Sequence, residues 1–342
     1  MVNRKGYLTY EDQVSSDQRK LQEILDVYDL SDRNFKEVLN RLLGPENKDL
    51  SAPVIHQIPT KHTRFVIIGD LHLNARAEDG GYGCDFAKLE KVLHIAKEEG
   101  AEFVVQTGDV TDGENMRHHQ KYGIVVQGLD NVVEFSVNHW PDCGLPTYFI
   151  GGNHDETYLN FAGADICKYI AEKRPDLHYL GMNEGNVPLQ ANYRKMLQKA
   201  KNKQEHSQVV KKLLTEPGPT WIRIRHPSKG SAKGRSYQPQ QHVEALEGSL
   251  KPHILIIGHY HKMDYLFKRN VHIYQAGTLE KQSGWMRTKD LHAHLGGILV
   301  DAYYNDKGTI TLLEHQRLEY AVNGREDFGV LRGKKHDYFK KK

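Results

Sequence analysis

The chain has 342 residues, of which 27% are charged and 38% hydrophobic; its formal net charge of +3 gives no global indication of a nucleic-acid partner. These proportions exclude disorder over most of the length, and the unpaired spacing of three cysteines excludes a disulfide framework or a cysteine-rich zinc site. No apolar run approaches the roughly 18 to 20 residues that span a bilayer, and the N-terminus lacks the apolar segment of a secretory leader, so we predict a cytoplasmic protein with no membrane partner.

Residues 1–58 are predicted to form a small helical appendage and a linker. Apolar residues recur at helical spacing from about residue 16 to residue 43, and Leu30-Ser31-Asp32 interrupts them as a stop and N-cap, so we expect two short helices. Pro53 and Pro59 indicate an extended linker after the pair. Such a pair either packs on the larger domain of its own chain, which we favour, or binds DNA.

From residue 64 onward, short apolar runs alternate with helical patterns. Five runs are too short for helices and suit strands buried on both faces: Phe65–Ile68, Phe103–Val105, Tyr148–Ile150, Trp221–Ile224 and Ile254–Ile257. Helices are predicted at Phe86–Glu99, Gly123–Val137 and Asp165–Lys173. Residues 265–275 and 297–314 are typical of β-hairpins. This alternation predicts a layered α/β domain over residues 59–322.

Positive charge is concentrated in three segments. Residues 190–215 are predicted to be a basic helical insertion, and residues 323–342 a basic C-terminal tail. The third segment is a glycine- and serine-rich loop whose cations are candidate substrate-binding residues, because Arg, Lys and backbone N–H groups bind phosphate. These cations are Arg225, Lys229, Lys233 and Arg235. Alternatively, the insertion is a helix whose charged face is merely solvated, and the loop is merely a solvated loop.

Each of the five predicted buried strands is followed by carboxylate, amide or imidazole side chains. The segments are Gly69-Asp70-Leu71-His72, Gly108-Asp109-Val110-Thr111-Asp112-Gly113, Gly151-Gly152-Asn153-His154-Asp155, Arg225-His226-Pro227 and Gly258-His259-Tyr260-His261. Because the carboxyl ends of strands in an open α/β sheet share one edge, these groups can converge in a single crevice. Mixed nitrogen and oxygen donors suit Mn²⁺, Fe²⁺ or Zn²⁺ better than Ca²⁺.

This ordered set of motifs resembles the calcineurin-like metallophosphoesterase superfamily, from about residue 64 to residue 318. In motif style it is most similar to the branch of phosphodiesterases and DNA-repair nucleases. The resemblance implies a four-layer α/β/β/α sandwich, to which the N-terminal helices would be an appendage. It also implies two divalent metal ions, with Mn²⁺ as the first choice and Fe, Zn or Ni as alternatives.

The resemblance further implies roles for individual side chains. One metal would be held by Asp70, His72 and His261, the other by Asn153, His226 and His259, and Asp109 would bridge them. His154 would be the catalytic imidazole beside the leaving group, oriented by Asp112. A bridging carboxylate brings two cations to about 3.5–4 Å and lowers the pKa of a water between them, giving a hydroxide that attacks phosphorus. The His226 motif is a single residue, and His206 and His242 are its alternatives, although neither follows a comparable strand.

Two positions favour phosphodiester substrates. Protein phosphatases of the superfamily usually carry Arg where this chain has Gly113 and Glu where it has Asp155. We therefore predict a nuclease acting on DNA or RNA, with the basic segments holding the backbone. One alternative is a small-molecule phosphoesterase that cleaves cyclic nucleotides, nucleotides or monoesters. Another is a non-catalytic accessory or scaffold protein with the same fold, although such a protein would be expected to lack ligands that this chain retains.

Overall fold

The computed structural model describes residues 61–116, 120–189, 205, 208, 220–228, 230, 234, 236–247, 251–289, 291–304 and 310–320. The N-terminal helices and linker, most of the basic insertion and the basic tail lie outside these ranges. The predicted boundaries at residues 58, 190, 215 and 322 therefore stay predictions.

Helices and strands alternate through the first half of the described chain, and strands dominate the second half. In chain order the elements are β1 (Lys61–Ile68), α1 (Phe86–Glu98), β2 (Phe103–Gln106), α2 (Leu129–His139), β3 (Thr147–Gly151), α3 (Glu156–Ala162), α4 (Ile166–Lys173), β4 (Leu177–Met182), β5 (Glu184–Leu189), β6 (Thr220–Arg225), α5 (Tyr237–Glu244), β7 (Ile254–Ile257), β8 (Met263–Lys268), β9 (Val271–Ala276), α6 (Gly284–Thr288), β10 (Leu295–Tyr304) and β11 (Ile310–Tyr320). No helix of the described residues is long and apolar enough to cross a membrane.

The described strands form two sheets. The first has the order β11-β10-β1-β2-β3-β4, in which β1 to β4 are parallel and β10 and β11 are antiparallel to their neighbours. The second has the order β5-β6-β7-β9-β8, with a parallel centre and two antiparallel edges. Both predicted hairpins are confirmed, as β8–β9 and β10–β11. Arg269 and Asn270, with φ of 50° and 61°, make the tight turn of the first.

Three apolar layers separate helices and sheets, because side chains of a strand alternate between its two faces. In β1, Val66 and Ile68 pack beneath α1, α2 and α4, whereas Phe65 and Ile67 pack against the second sheet. On the far side of the second sheet, Val243 of α5 covers β7 and β9. Each fully buried side chain of this size contributes about 1.5–3 kcal/mol. The order helices, sheet, sheet, helix confirms the expected α/β/β/α sandwich.

The predicted helix at Gly123–Val137 was wrong at its N-terminal end. Helix α2 starts only after Gly128, whose φ of 88° does not belong to a right-handed helix. The preceding residues pair instead with the loop after β1: Arg76 N–H donates to the Gly123 carbonyl at 2.7 Å, and Val125 N–H donates to the Asn74 carbonyl at 2.8 Å. These main-chain hydrogen bonds override the helical pattern of the sequence.

Candidate metal centre

The loops that follow β1, β2, β3, β6 and β7 bring all seven predicted ligands into one cluster. Four of them are almost fully buried, namely Asp70, His72, Asp109 and His226, and the other three, Asn153, His259 and His261, are half-buried. Two of the strands that deliver them lie in the second sheet and three in the first. The cluster therefore lies where the two sheets meet at the carboxyl ends of their strands.

Asp70 lies at the centre of the first half of the cluster. Its Oδ2 is 3.0 Å from His261 Nε2 and accepts a hydrogen bond of 2.8 Å from the main-chain N–H of His259. His72 Nε2 lies 3.7 Å from Oδ2 of Asp109. The ligating atoms of Asp70, His72 and His261 all lie within 4.8 Å of one another. This is the set that the sequence assigned to one metal.

The second half of the cluster surrounds the side-chain oxygen of Asn153. Asn153 Oδ1 lies 2.8 Å from His259 Nδ1 and 3.0 Å from His226 Nε2. His226 Nε2 is also 3.1 Å from Asp109 Oδ2, so the Asp109 carboxylate contacts both halves. His226 is thus part of the cluster, whereas its alternative His242 bonds to the Tyr260 hydroxyl and His206 lies outside the described residues.

The donor atoms fit two divalent cations. His72 Nε2 is buried and has no hydrogen-bond partner among the described residues. An unpaired buried imidazole nitrogen is costly, and a cation in front of it would remove that cost. Metal–ligand bonds of about 2.0–2.2 Å place two donors on one ion up to about 4.4 Å apart, which spans the individual distances of 2.8 to 3.7 Å between ligating atoms given above. With Asp109 shared, the residues can hold one cation in each half.

Four of the seven candidate ligands have a left-handed backbone: φ is 45° at His72, 48° at Asp109, 76° at His259 and 52° at His261. Such conformations cost of order 1–3 kcal/mol each and persist where the surrounding structure enforces them. Here the Asp109 carbonyl accepts hydrogen bonds from the N–H groups of Leu71, at 2.9 Å, and His72, at 3.0 Å. The first two ligand loops therefore hold each other in the strained geometry.

Asp155 ties the second and third ligand loops together. Its fully buried carboxylate accepts hydrogen bonds from Val110 N–H at 3.0 Å, Thr111 N–H at 2.8 Å, the Thr111 hydroxyl at 2.8 Å and Gly152 N–H at 2.9 Å. Val110 directly follows the bridging carboxylate, and Gly152 directly precedes Asn153. Asp155 consequently positions ligands without being one.

Asp112 orients two imidazoles at once. Its Oδ1 lies 3.0 Å from His154 Nδ1 and 3.0 Å from His72 Nδ1. His154 Nδ1 is also 2.9 Å from the Asp112 carbonyl, and we assign its proton to this pair of oxygens. The other ring nitrogen, Nε2, is left free of this contact, and His154 lines the cleft described below. This is the arrangement that the sequence predicted for His154 and Asp112.

Burial lowers the pKa values of the histidines in the cluster, whereas the nearby carboxylates raise them. Burial lowers the pKa of His226, but the negative charges of Asp109 and Asp70 outweigh it and raise that pKa to about 9. Burial likewise lowers the pKa of His154, and Asp109 and the hydrogen bond to Asp112 raise it above the ordinary value. Burial and the neighbouring His226 lower the pKa of His259 to about 4. Without cations the cluster thus keeps protons beside its carboxylates.

The cluster opens into a cleft with a volume of about 430 Å³. Its wall beyond the candidate ligands is partly apolar, formed by Met116, Tyr260, Met286 and Leu291. Lys289 and His292 add positive or polar groups. A bound molecule would therefore contact the cluster at one end and an apolar surface at the other.

The four candidate substrate-binding cations are not placed in this cleft by the described residues. Arg225 ends β6, and its Nε lies 3.9 Å from a carboxylate oxygen of Glu184. Lys229, Lys233 and Arg235 lie outside the described residues. Their role stays a prediction.

Glu280, which was not predicted from the sequence, is buried and lines the cleft. It could have been predicted from the pattern that predicted the other residues, which is a polar side chain shortly after the end of a strand. Strand β9 ends at Ala276, and Gly277-Thr278-Leu279-Glu280 then delivers a carboxylate after a strand.

A family model described as calcineurin-like phosphoesterase matches residues 63–263, more than half of the chain. The chain belongs to this family. Family membership and the His/Asp cluster together indicate a dinuclear metal site. The resemblance drawn from the motifs is thereby confirmed.

Solved structures similar to this phosphoesterase have low sequence identity to it. An archaeal phosphodiesterase is 10% identical over 75% of this chain and 100% of its own, with a TM-score of 0.37. A putative 5'-nucleotidase from Staphylococcus aureus is 11% identical over 78% of this chain and 56% of its own, with a TM-score of 0.42. Vacuolar Protein Sorting 29 from Cryptosporidium parvum is 14% identical over 76% and 99%, with a TM-score of 0.33. No curated protein matches the chain.

Proposed function

We propose that this calcineurin-like phosphoesterase hydrolyses phosphodiester bonds in a nucleic acid, using two divalent cations with Mn²⁺ as the first choice. The proposal is supported mainly by the convergence of seven candidate metal ligands beside the imidazole of His154. Nδ1 of this imidazole contacts Asp112. Bound cations would lower the pKa of water and neutralise charge on the phosphoryl oxygens. The mixed nitrogen and oxygen donors support Mn²⁺ or Fe²⁺.

In the proposed reaction His154 moves a proton. Asp112 holds its Nδ1, so Nε2 is the nitrogen available to the leaving oxygen of a phosphate in the cleft. A positioned imidazole in this role typically contributes roughly 10²–10⁴-fold in rate. Asp112 acts through His154 and is a positioning residue. Asp109, in contact with both halves of the cluster, would be the carboxylate that the two cations share.

Two features, the glycine at position 113 and the low positive charge of the cleft wall, favour a diester over a monoester. Gly113 has a φ of 68°, and a Cβ there would lie 2.3 Å from the His154 carbonyl oxygen, so a side chain at the position where protein phosphatases carry Arg is not tolerated. Lys289 is the only Lys or Arg among the described residues that line the cleft. A phosphomonoester carries about −1.5 to −2 charges at neutral pH and a diester one, so the lower charge suits this wall better.

Turnover of model substrates tests the reaction class. With Mn²⁺ the protein is expected to hydrolyse bis-p-nitrophenyl phosphate faster than p-nitrophenyl phosphate and to lose this activity in chelator. Turnover of the monoester alone would overturn the diester proposal. A protein that binds no cation and turns over neither compound would be an accessory protein with this fold.

Salt dependence tests the nucleic-acid substrate. The Lys199→Glu, Lys201→Glu, Lys203→Glu triple variant removes part of the basic segment, and the corresponding triple Arg variant keeps the charge as a matched control. Each phosphate contact contributes about 0.7 (single strand) to 0.9 (B-DNA) to the slope of log K against log[salt]. We expect the Glu variant to cleave polynucleotides more weakly with a shallower slope. Equal cleavage by all three proteins would overturn the use of this segment.

The size of the cleft supports a second candidate function, the hydrolysis of a cyclic nucleotide or a nucleotide. A volume of about 430 Å³ lies within the ~300–1,000 Å³ typical of small-molecule sites. The cleft therefore also suits a cyclic nucleotide or a nucleotide. Single- and double-stranded DNA and RNA should be compared with cyclic nucleotides under the same Mn²⁺ conditions. Inert polynucleotides beside a cleaved cyclic nucleotide would replace the first proposal by this one.

A further inference from the structure

A carboxylate outside the seven-ligand set faces the first half of the cluster. Glu280 is only 7% exposed, and its Oε2 lies 3.7 Å from His72 Nε2 and 3.8 Å from His261 Nδ1. Both distances are too long for hydrogen bonds. Glu280 therefore approaches two candidate metal ligands closely without bonding to either of them.

A cation bound between these groups would explain the distances around His72 Nε2. That atom is buried, has no hydrogen-bond partner among the described residues, and lies 3.7 Å from both Asp109 Oδ2 and Glu280 Oε2. Two donors on one cation at about 2.1 Å would be about 3.0 Å apart at right angles and about 4.2 Å apart on opposite sides. Both separations of 3.7 Å fall between these limits, so one cation can contact His72 Nε2 together with Glu280 Oε2, or His72 Nε2 together with Asp109 Oδ2.

We propose that Glu280 is a further oxygen ligand to the cation held by Asp70, His72 and His261. The proposal rests on the two-cation site of the proposed function and adds a residue to it. Glu280 would give that cation a carboxylate that the other cation lacks.

The backbone around Glu280 is fixed to the first ligand loop. Glu280 N–H donates to the Thr278 hydroxyl at 2.9 Å, and that hydroxyl donates to the Asp70 carbonyl at 2.8 Å. Leu279 N–H donates to the same carbonyl at 2.9 Å. Thr278 and Leu279 are fully buried. These hydrogen bonds hold the backbone of Glu280 beside the loop that carries Asp70.

The extra carboxylate makes the two cation positions chemically unequal. The first position has Asp70, Glu280 and the shared Asp109 as carboxylates with two imidazoles, whereas the second has the shared carboxylate, one amide and two imidazoles. Carboxylate oxygens suit Mn²⁺ and Mg²⁺, and imidazoles suit Zn²⁺. We therefore expect the first position to bind Mn²⁺ more tightly and to fill first.

Mn²⁺ titration of the metal-free full chain tests the proposal, using calorimetry and metal content after dialysis. The wild type is expected to bind two ions with separate affinities. Glu280→Gln should weaken the tighter class by at least about tenfold, the lower end of the effect of losing an outer-shell partner, and leave the other class unchanged. Glu244→Gln, an exposed carboxylate paired with Lys268, is the matched control and should leave both classes unchanged.

Three results separate the possibilities. If Glu280→Gln binds both ions as the wild type does, the Glu280 carboxylate is not a ligand, and the proposed function would stand. If the wild type binds no ion, the proposed function itself fails. Thermal melting in chelator controls for folding, and we expect no loss of melting temperature in Glu280→Gln. If that variant does melt early, Glu280→Asp, which keeps the charge but shortens the reach, should show the same selective loss.

Discussion

Replacing Asp155 with Ala should destabilise the fold and weaken the metal site together. The buried carboxylate accepts four hydrogen bonds, and its removal leaves the four donors without this acceptor. Each unsatisfied buried donor costs about 1–3 kcal/mol, but removing a buried charge returns several kcal/mol of desolvation. We expect a net loss of about 2–4 kcal/mol in the free energy of unfolding. At about 2–4 °C per kcal/mol for a domain of this size, the melting temperature should fall by roughly 4–16 °C.

Calorimetry and metal content of the purified variant would measure both effects. Asp165→Ala is a matched control, because Asp165 caps α4 with a 3.2 Å hydrogen bond from Lys168 N–H and is not a candidate ligand. Losing such a cap costs about 1 kcal/mol. The control should keep its Mn²⁺ content, whereas Asp155→Ala should lose part of it. Equal melting shifts for the two variants, with full metal content in both, would refute the role assigned to Asp155.

Three further variants separate chemistry, geometry and stability. His154→Ala should slow diester hydrolysis by roughly 10²–10⁴-fold in steady-state assays with metal content unchanged, and metal loss would count against its assignment as a non-ligand. Gly152→Ala should lose bound metal and activity, because the new Cβ would lie 2.2 Å from Oδ1 of Asp109; a variant with wild-type metal content would show that the bridging carboxylate can shift without harm. Arg174→Lys should lower the free energy of unfolding in urea by about 1–3 kcal/mol, because Arg174 donates to Asp176 through two nitrogens and to two carbonyls at the end of α2. Metal binding should not change in this last variant.

The convergence of the seven candidate ligands could be predicted because topology alone produces it. A buried run such as Ile254–Ile257 must be a strand, and residues directly after parallel strands meet at one edge of the sheet. The pairing of Asp112 with His154 was implied instead by the resemblance to the family. The strand ends explain the convergence within each sheet, whereas the sandwich that brings the edges of the two sheets together was implied by the resemblance to the family.

Other features depend on contacts between distant segments, which local patterns do not encode. Strands β4 and β5 were not predicted because glycines and Pro188 interrupt them, and Pro188 is tolerated because β5 is an edge strand. Glu280 joins the cluster through hydrogen bonds between its segment and the Asp70 carbonyl, more than two hundred residues away in the sequence. Asp155 acts through three donors on the loop after β2 and one on its own loop, contacts that its motif gives no reason to expect.

The central claim is that one rim of this fold holds two cations. The most direct measurement is anomalous scattering from crystals of the full chain grown with Mn²⁺. We expect two peaks about 3.5–4 Å apart, one on each side of the Asp109 carboxylate. A single peak, or peaks away from these residues, would contradict it.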